Sequence, residues 1–269
     1  MEENAAELIR CREYGSGEPL VVLHGGWGYE IYPFDRQIAA LESAHRIVIP
    51  DRMGYGRSPR PSSNRDAFEL DFHERAAGDT RALLDRLGLE RPVLWGHSDG
   101  AVIALLLALA TPERAAALVL EAVHLGAHKP RSRGFFEAIV RDPASVGERV
   151  AAVLARDHGD DWKQIISCHS RAWLRLADEQ PPDADFYGGR LRGLAVPTLV
   201  IHGARDPRTE PGELDALRAM LPHARFAVLP EGGHSPHSER ATADRTTSIV
   251  ASFLAECGIP GPSAAHAAS

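Results

Sequence analysis

Six short apolar runs recur along the chain, and they constrain the fold more than any other feature. They are "LVVLH" (20–24), "RIVIP" (46–50), "PVLWGH" (92–97), "AAALVLEAV" (115–123), "PTLVIHG" (197–203) and "RFAVLP" (225–230). Near-continuous apolar runs of this length read as strands covered on both faces. Between and after them lie segments with helical apolar spacing, at 33–43, 72–88, 99–110 and 240–256. Buried strands alternating with helices imply parallel βαβ units joined by right-handed crossovers. The expected fold class is therefore α/β, a mostly parallel central sheet flanked by helices. Upstream, "ELIRCREY" (7–14) roughly alternates and "GSGEP" follows as a turn, which predicts a hairpin between that segment and the run at 20–24.

The alternation stops between 125 and 192. No strand-like run occurs there, and 134–140, 144–156 and 160–177 look helical and amphipathic. The expected organisation is a core made of 1–124 and 193–257, with 125–192 inserted as a helical lid. The small and polar tail 258–269, "GIPGPSAAHAAS", is expected to be disordered.

Composition narrows the function classes. A formal net charge of −7 with no Lys/Arg run excludes an extended nucleic-acid surface. The absence of an eighteen-residue apolar stretch predicts no membrane span. The start "MEENAAELIR" lacks the basic-then-apolar order of a secretory signal. Cys11, Cys168 and Cys257 form neither a disulfide framework nor a metal pattern, so a cytoplasmic location is expected.

The chemistry starts at "GHSDG" (96–100), which follows a strand and opens a helix. That is the context of a nucleophile elbow, in which Ser98 projects from a turn too tight for ordinary neighbours. The plainer reading is Ser98 as a helix N-cap. A serine nucleophile needs a base, and the base needs an orienting acid. His234, in "GGHSPHSE", follows the last strand, and Asp206, in "IHGARDP", follows the one before it. Ser98, Asp206 and His234 thus all fall in loops after strands and can meet at one sheet edge. Backbone N–H groups of the glycine-rich turn "HGGWG" (24–28) and of Asp99 are the expected oxyanion donors.

Other readings compete locally. Gly26-Trp27-Gly28 with Asp51 weakly imitates a dinucleotide fingerprint, but Ile31 stands where the third glycine belongs. Glu121 is the second-choice acid, since it ends a core strand. His237 makes an H-x-x-H pair with His234, read as a solvated loop histidine because a proline lies between them and no third ligand cluster is visible. His97 is expected to pack under the turn. Trp27, His124 and His128 are candidate substrate contacts, whereas Trp162 and Trp173 are expected to be lid packing. Asp99 suits the start of a helix, with a rival role of selecting cationic substrates.

On "HGGWG", "DRMGYGRS" (51–58), "GHSDG", "HGARD" and "GGHSPHSE", nearly the whole chain to about residue 256 resembles the α/β-hydrolase superfamily, in particular its small lid-bearing serine esterases. The resemblance implies a Ser98–Asp206–His234 triad and Gly26 as the second oxyanion amide, with Asp51 and Arg52 structural. Ala101 departs from the glycine that many relatives carry. The implied function is hydrolysis of a small-molecule carboxylic ester, thioester or lactone through an acyl-enzyme, with no metal or organic cofactor. Carbon–carbon bond hydrolysis, a cofactor-free peroxidase-like reaction and a non-turnover ligand sensor remain alternatives on the same residues.

Overall fold

The computed structural model describes residues 9–60 and 68–261. Seven strands form one sheet: β1 (Cys11–Tyr14), β2 (Glu18–Leu23), β3 (His45–Pro50), β4 (Val93–His97), β5 (Ala117–Glu121), β6 (Thr198–Gly203) and β7 (Arg225–Leu229), in the spatial order β1-β3-β2-β4-β5-β6-β7. All neighbouring strands pair in parallel except β1 and β3. The helices are α1 (Asp35–Leu41), α2 (Phe72–Arg86), α3 (Asp99–Ala110), α4 (Pro130–Arg141), α5 (Glu148–His158), α6 (Trp162–Glu179), α7 (Glu213–Met220) and α8 (Ala243–Glu256).

Period-two alternation sends the strand side chains into two layers. Val21, Leu23, Val48, Leu94, Leu118, Leu120 and Val200 point to the face covered by α3, against which α2 packs. Leu20, Val22, Ile47, Ile49, Trp95, Val119 and Ile201 point to the opposite face, against Phe34, Ile38 and Leu41 of α1 and Val250, Phe253 and Leu254 of α8. Helix α3 is apolar all round and buried from Asp99 to Ala108, as befits a helix sealed between sheet and outer helices.

The expected hairpin does not form. β1 pairs antiparallel with β3, Cys11 opposite Pro50 and Tyr14 opposite Ile47, while β2 lies on the other side of β3. The turn between β1 and β2 instead packs on the chain entering β3. Gly15, at φ +64°, sits where a Cβ would lie 2.1 Å from the Glu42 carbonyl oxygen, and the Glu18 amide donates to Ala44 O at 3.1 Å. Helix α7, which the apolar spacing did not reveal, was also missed. Residues 125–192 hold α4, α5 and α6 with no strand, as expected. Of the tail, 262–269 lies outside the described residues, as do 7–8 of the first expected strand. Among the described residues no helix is long and apolar enough to cross a membrane.

The β4–α3 junction fixes the site. A Cβ on Gly100 would lie 1.9 Å from Leu23 O, and one on Gly96 would lie 2.2 Å from Gly100 O. Backbone occupies both places, so only glycine fits. Gly100→Ala is expected to cost ~3 kcal/mol or to prevent folding, whereas Gly78→Ala, on exposed α2 with nothing within 4 Å of its Cβ position, should gain ~0.5–1 kcal/mol. Denaturant midpoints of the two variants check the pair, and equal effects would contradict it.

Candidate active site

Ser98 occupies φ 54°, ψ −120°, a region that a residue with a Cβ adopts only when its surroundings impose it, at a cost of ~1–3 kcal/mol. Its side chain caps no helix N–H, so the N-cap reading fails. Instead Oγ lies 3.1 Å from His234 Nε2, and His234 Nδ1 lies 2.9 Å from Asp206 Oδ2. Nδ1–H donates to the carboxylate, which leaves Nε2 to accept the serine hydroxyl proton. The three side chains named from the sequence are brought together from the ends of β4, β6 and β7.

Electrostatics suit a base. Burial, and next the Arg208 charge, push the His234 imidazole below its ordinary range, against the pull of Asp206. Burial would raise the Asp206 carboxyl, but the His234 hydrogen bond and charge, with the Arg208 amide, outweigh it and hold Asp206 ionised. The Arg208 N–H donates to Asp206 Oδ1 at 2.8 Å.

His124 approaches the same hydroxyl, its Nε2 3.3 Å from Ser98 Oγ and its ring stacked on His234 at 5.8 Å. Because the serine proton faces His234, His124 meets Oγ with its N–H. Burial, then Lys129 and His234, push His124 well below the ordinary histidine range, so it is neutral. Tyr187 Oη donates to its carbonyl at 2.7 Å. His128, by contrast, is exposed and lines no part of the site. That expectation is corrected: the turn after His124 aims the chain outward.

Gly26 and Asp99 both line the pocket over Ser98. Gly26 is glycine for a reason absent from its own segment: a Cβ there would lie 2.4 Å from His169 Cε1. Arg52 Nη2 donates to Gly25 O at 2.8 Å, and the Arg52 amide donates to His24 Nε2 at 3.2 Å. From α5, His158 Nε2 donates to Trp27 O at 2.8 Å and Nδ1 accepts from the Gly56 amide at 3.0 Å. The glycine loop is thus fixed from the sheet and from the helical insertion. Trp27 lines the pocket and also packs with Ile139, Leu154, Trp162 and Ile166. Asp51 is buried, receives Arg12 Nη1 and accepts from the Arg57 amide at 2.9 Å. With those partners it cannot serve a ribose, and the dinucleotide reading ends there.

Asp99 is where sequence reasoning missed most. Its carboxylate is buried and accepts from His169 Nε2 at 2.6 Å, His73 Nε2 at 3.1 Å and Trp173 Nε1 at 3.2 Å, with Arg52 Nη2 at 4.0 Å. Burial would raise its pKa, but His169 and His73 outweigh that and hold it well below the carboxylate range. Three donors and the neighbouring Arg52 charge already compensate this buried carboxylate, and the cation-selecting role is dropped. Trp173, expected as packing alone, lines the pocket too. His73 and His169 lie 26 and 70 residues from Asp99, and no local pattern announces them.

Glu121 pairs with a different histidine. It accepts from the His237 amide at 2.9 Å, His237 Nδ1 at 2.8 Å and Trp95 Nε1 at 3.3 Å. His237 Nε2 donates to Tyr32 O at 3.0 Å, and Phe34 stacks on the ring at 3.7 Å. His97 donates through Nε2 to His234 O at 3.0 Å, and burial with His237 and His234 pushes it down to about 3. His237 is buried and not solvated as the sequence reading had it, and His97, Glu121 and His237 bring ligand-type atoms within 4.8 Å of one another, so a third group does gather there. The bonds named above commit Glu121 and both His237 nitrogens to hydrogen bonding beneath the His234 loop.

The space over Ser98 is small, about 20 Å³, room for a water molecule, which needs ~10–15 Å³. Phe136, Trp173 and Trp27 wall it, with Arg208. A larger cavity of about 310 Å³, beside Arg52, Tyr55 and Phe72, contains none of Ser98, Asp206 or His234.

Residues 20–245 match the alpha/beta hydrolase family. The chain is similar to serine hydrolase BPHL of Mus musculus, 29% identical with 91% of this chain and 82% of that protein covered. It is also similar to 2-hydroxymuconate semialdehyde hydrolase of Pseudomonas sp. strain CF600, 30% identical over 90% of this chain and 88% of the relative. Among solved structures, a hydrolase from Pseudomonas aeruginosa superposes with a TM-score of 0.70 at 23% identity, covering 91% of this chain and 94% of the other. The family match spans both halves of the sheet and every strand that carries Ser98, Asp206 or His234, and the chain belongs to the alpha/beta hydrolase family.

Proposed function

We propose that the protein is a serine hydrolase that cleaves a small-molecule carboxylic ester, thioester or lactone through an acyl-enzyme on Ser98. The observation that carries this reading is the Ser98–His234–Asp206 relay, with distances of 3.1 and 2.9 Å, on a strained turn. His234 takes the Ser98 proton as Oγ attacks the acyl carbon, and Asp206 stabilises the imidazolium that results. The Gly26 and Asp99 amides receive the oxyanion, and such a donor contributes ~3 kcal/mol to the transition state. His234 then returns the proton to the leaving group and activates the water that clears the acyl-enzyme. His124, with its N–H already on Oγ, orients the hydroxyl before attack and is free to meet a substrate oxygen afterwards.

Residues 125–192 serve in this reading as a lid. Helices α4 and α6 supply Phe136, His169 and Trp173 over Ser98, and the closed space is too small for an acyl group. Their outward movement then admits substrate, a common gating step.

A second reading is carbon–carbon bond hydrolysis. It is favoured by the relative named 2-hydroxymuconate semialdehyde hydrolase, of which the chain covers 88%. The same nucleophile and base would serve a carbonyl there. Turnover of p-nitrophenyl esters set against that of a vinylogous 1,5-diketone separates the two.

Two outcomes test the assignment of roles. A fluorophosphonate should label wild type and not Ser98→Ala. Asp206→Asn should lower kcat by roughly 10⁴ through the wrong His234 tautomer, and Glu121→Gln by far less. The reverse ranking would move the acid to β5 and overturn the reading.

The pH profile follows from the sign of the His234 shift. His234 acts as a base only when neutral, and its pKa lies below the ordinary 6.5. kcat/KM should therefore stay level as pH falls through 6.5 and decline only below it. An acid limb centred above 6.5 would contradict a buried, Arg208-facing His234.

A further inference from the structure

Two charged side chains line the pocket over Ser98, Asp99 and Arg208. Asp99 already accepts from His169, His73 and Trp173 and has Arg52 beside it. Arg208 is not: among the described residues its guanidinium enters no ion pair with a carboxylate. Its position is nonetheless built. The amide donates to Asp206 Oδ1 at 2.8 Å, and the carbonyl accepts from Lys129 Nζ at 3.4 Å. The guanidinium carbon lies 4.4 Å from the centre of the Phe135 ring and 6.0 Å from that of Phe136. Phe135 in turn stacks on Trp27 at 5.3 Å. Stacking holds the planar fork without using its N–H donors, and an arginine so placed is preorganised for a carboxylate. Its field already reaches the base, being the largest influence on His234 after burial.

We propose that the substrate carries a carboxylate a short apolar span from its scissile bond, and that Arg208 binds that carboxylate while Trp27, Phe136 and Trp173 cover the span. The sign is opposite to the one the sequence suggested at Asp99. This inference rests on Ser98 hydrolysis for its catalytic arm and on Arg208 alone for its binding arm, so the two can fail separately.

The catalytic arm compares mono-p-nitrophenyl glutarate with its neutral counterpart, p-nitrophenyl pentanoate. Wild type, Arg208→Gln and Arg208→Lys are assayed at low salt, where an exposed charge pair is least screened. The ratio of kcat/KM for the two esters cancels any change the substitution makes in His234. Wild type should favour the hemiester by about tenfold or more, Arg208→Gln should bring the ratio near unity, and Arg208→Lys should fall between, because a lysine keeps the charge and loses the fork. A wild-type ratio near unity, or one that Arg208→Gln leaves unchanged, overturns the proposal. The binding arm titrates glutarate into Ser98→Ala protein by calorimetry. Saturable binding that Arg208→Gln abolishes supports the anion site even if neither ester turns over, in which case the hydrolase reading alone falls. No saturable binding together with no turnover overturns the anion site.

Discussion

The close approach of three backbone segments at the end of β4 is the constraint on which the site depends. Gly100 lies against the carbonyl of Leu23 in β2, and Gly96 lies against Gly100. Neither could carry a Cβ, so helix α3 starts directly on the sheet and Ser98 is forced to φ 54°. The same contact brings β2, with the Gly26 loop at its end, beside Ser98. The positions of Ser98 and of the Gly26 and Asp99 amides are therefore set by one packing event, and the strain of the turn is held by burial of α3 from both sides.

A second layer of fixation comes from Asp99. Its buried carboxylate ties α3 to His73 on α2 and to His169 and Trp173 on α6, with Arg52 nearby. Loss of such a charge's partners costs ~3–5 kcal/mol, so α2 and α6 are joined to α3 by a bond of consequence. His158 performs the corresponding task for the Gly26 loop, bridging Trp27 O and the Gly56 amide from α5. Residues 125–192 are thus tied at two separate places, to α3 through Asp99 and to the Gly26 loop through His158.

Much of this was legible in the sequence, for a definite reason. Strands buried on both faces and the glycines of the elbow are local signals, and Ser98, Asp206 and His234 each sit directly after a strand, so their convergence follows from a parallel sheet. What was not legible is non-local. β1 pairs across to β3 and not with the strand joined to it by a turn, because Gly15 and Gly17 fold that turn onto 42–45. Asp99 looked available because its partners arrive from 26 and 70 residues away, and Glu121 looked like a rival acid until His237, 116 residues on, claimed it. Polar partnerships of this kind carry no period in the chain.

A covalent acyl-enzyme on Ser98 is tested most directly by rapid mixing with p-nitrophenyl acetate. Hydrolysis through Ser98 should give a burst of p-nitrophenol approaching one equivalent per chain, with intact mass raised by one acetyl group and the adduct mapped to the Ser98 peptide. A linear release with no burst, an unmodified mass on quenching during turnover, and the same rate in Ser98→Ala would contradict it.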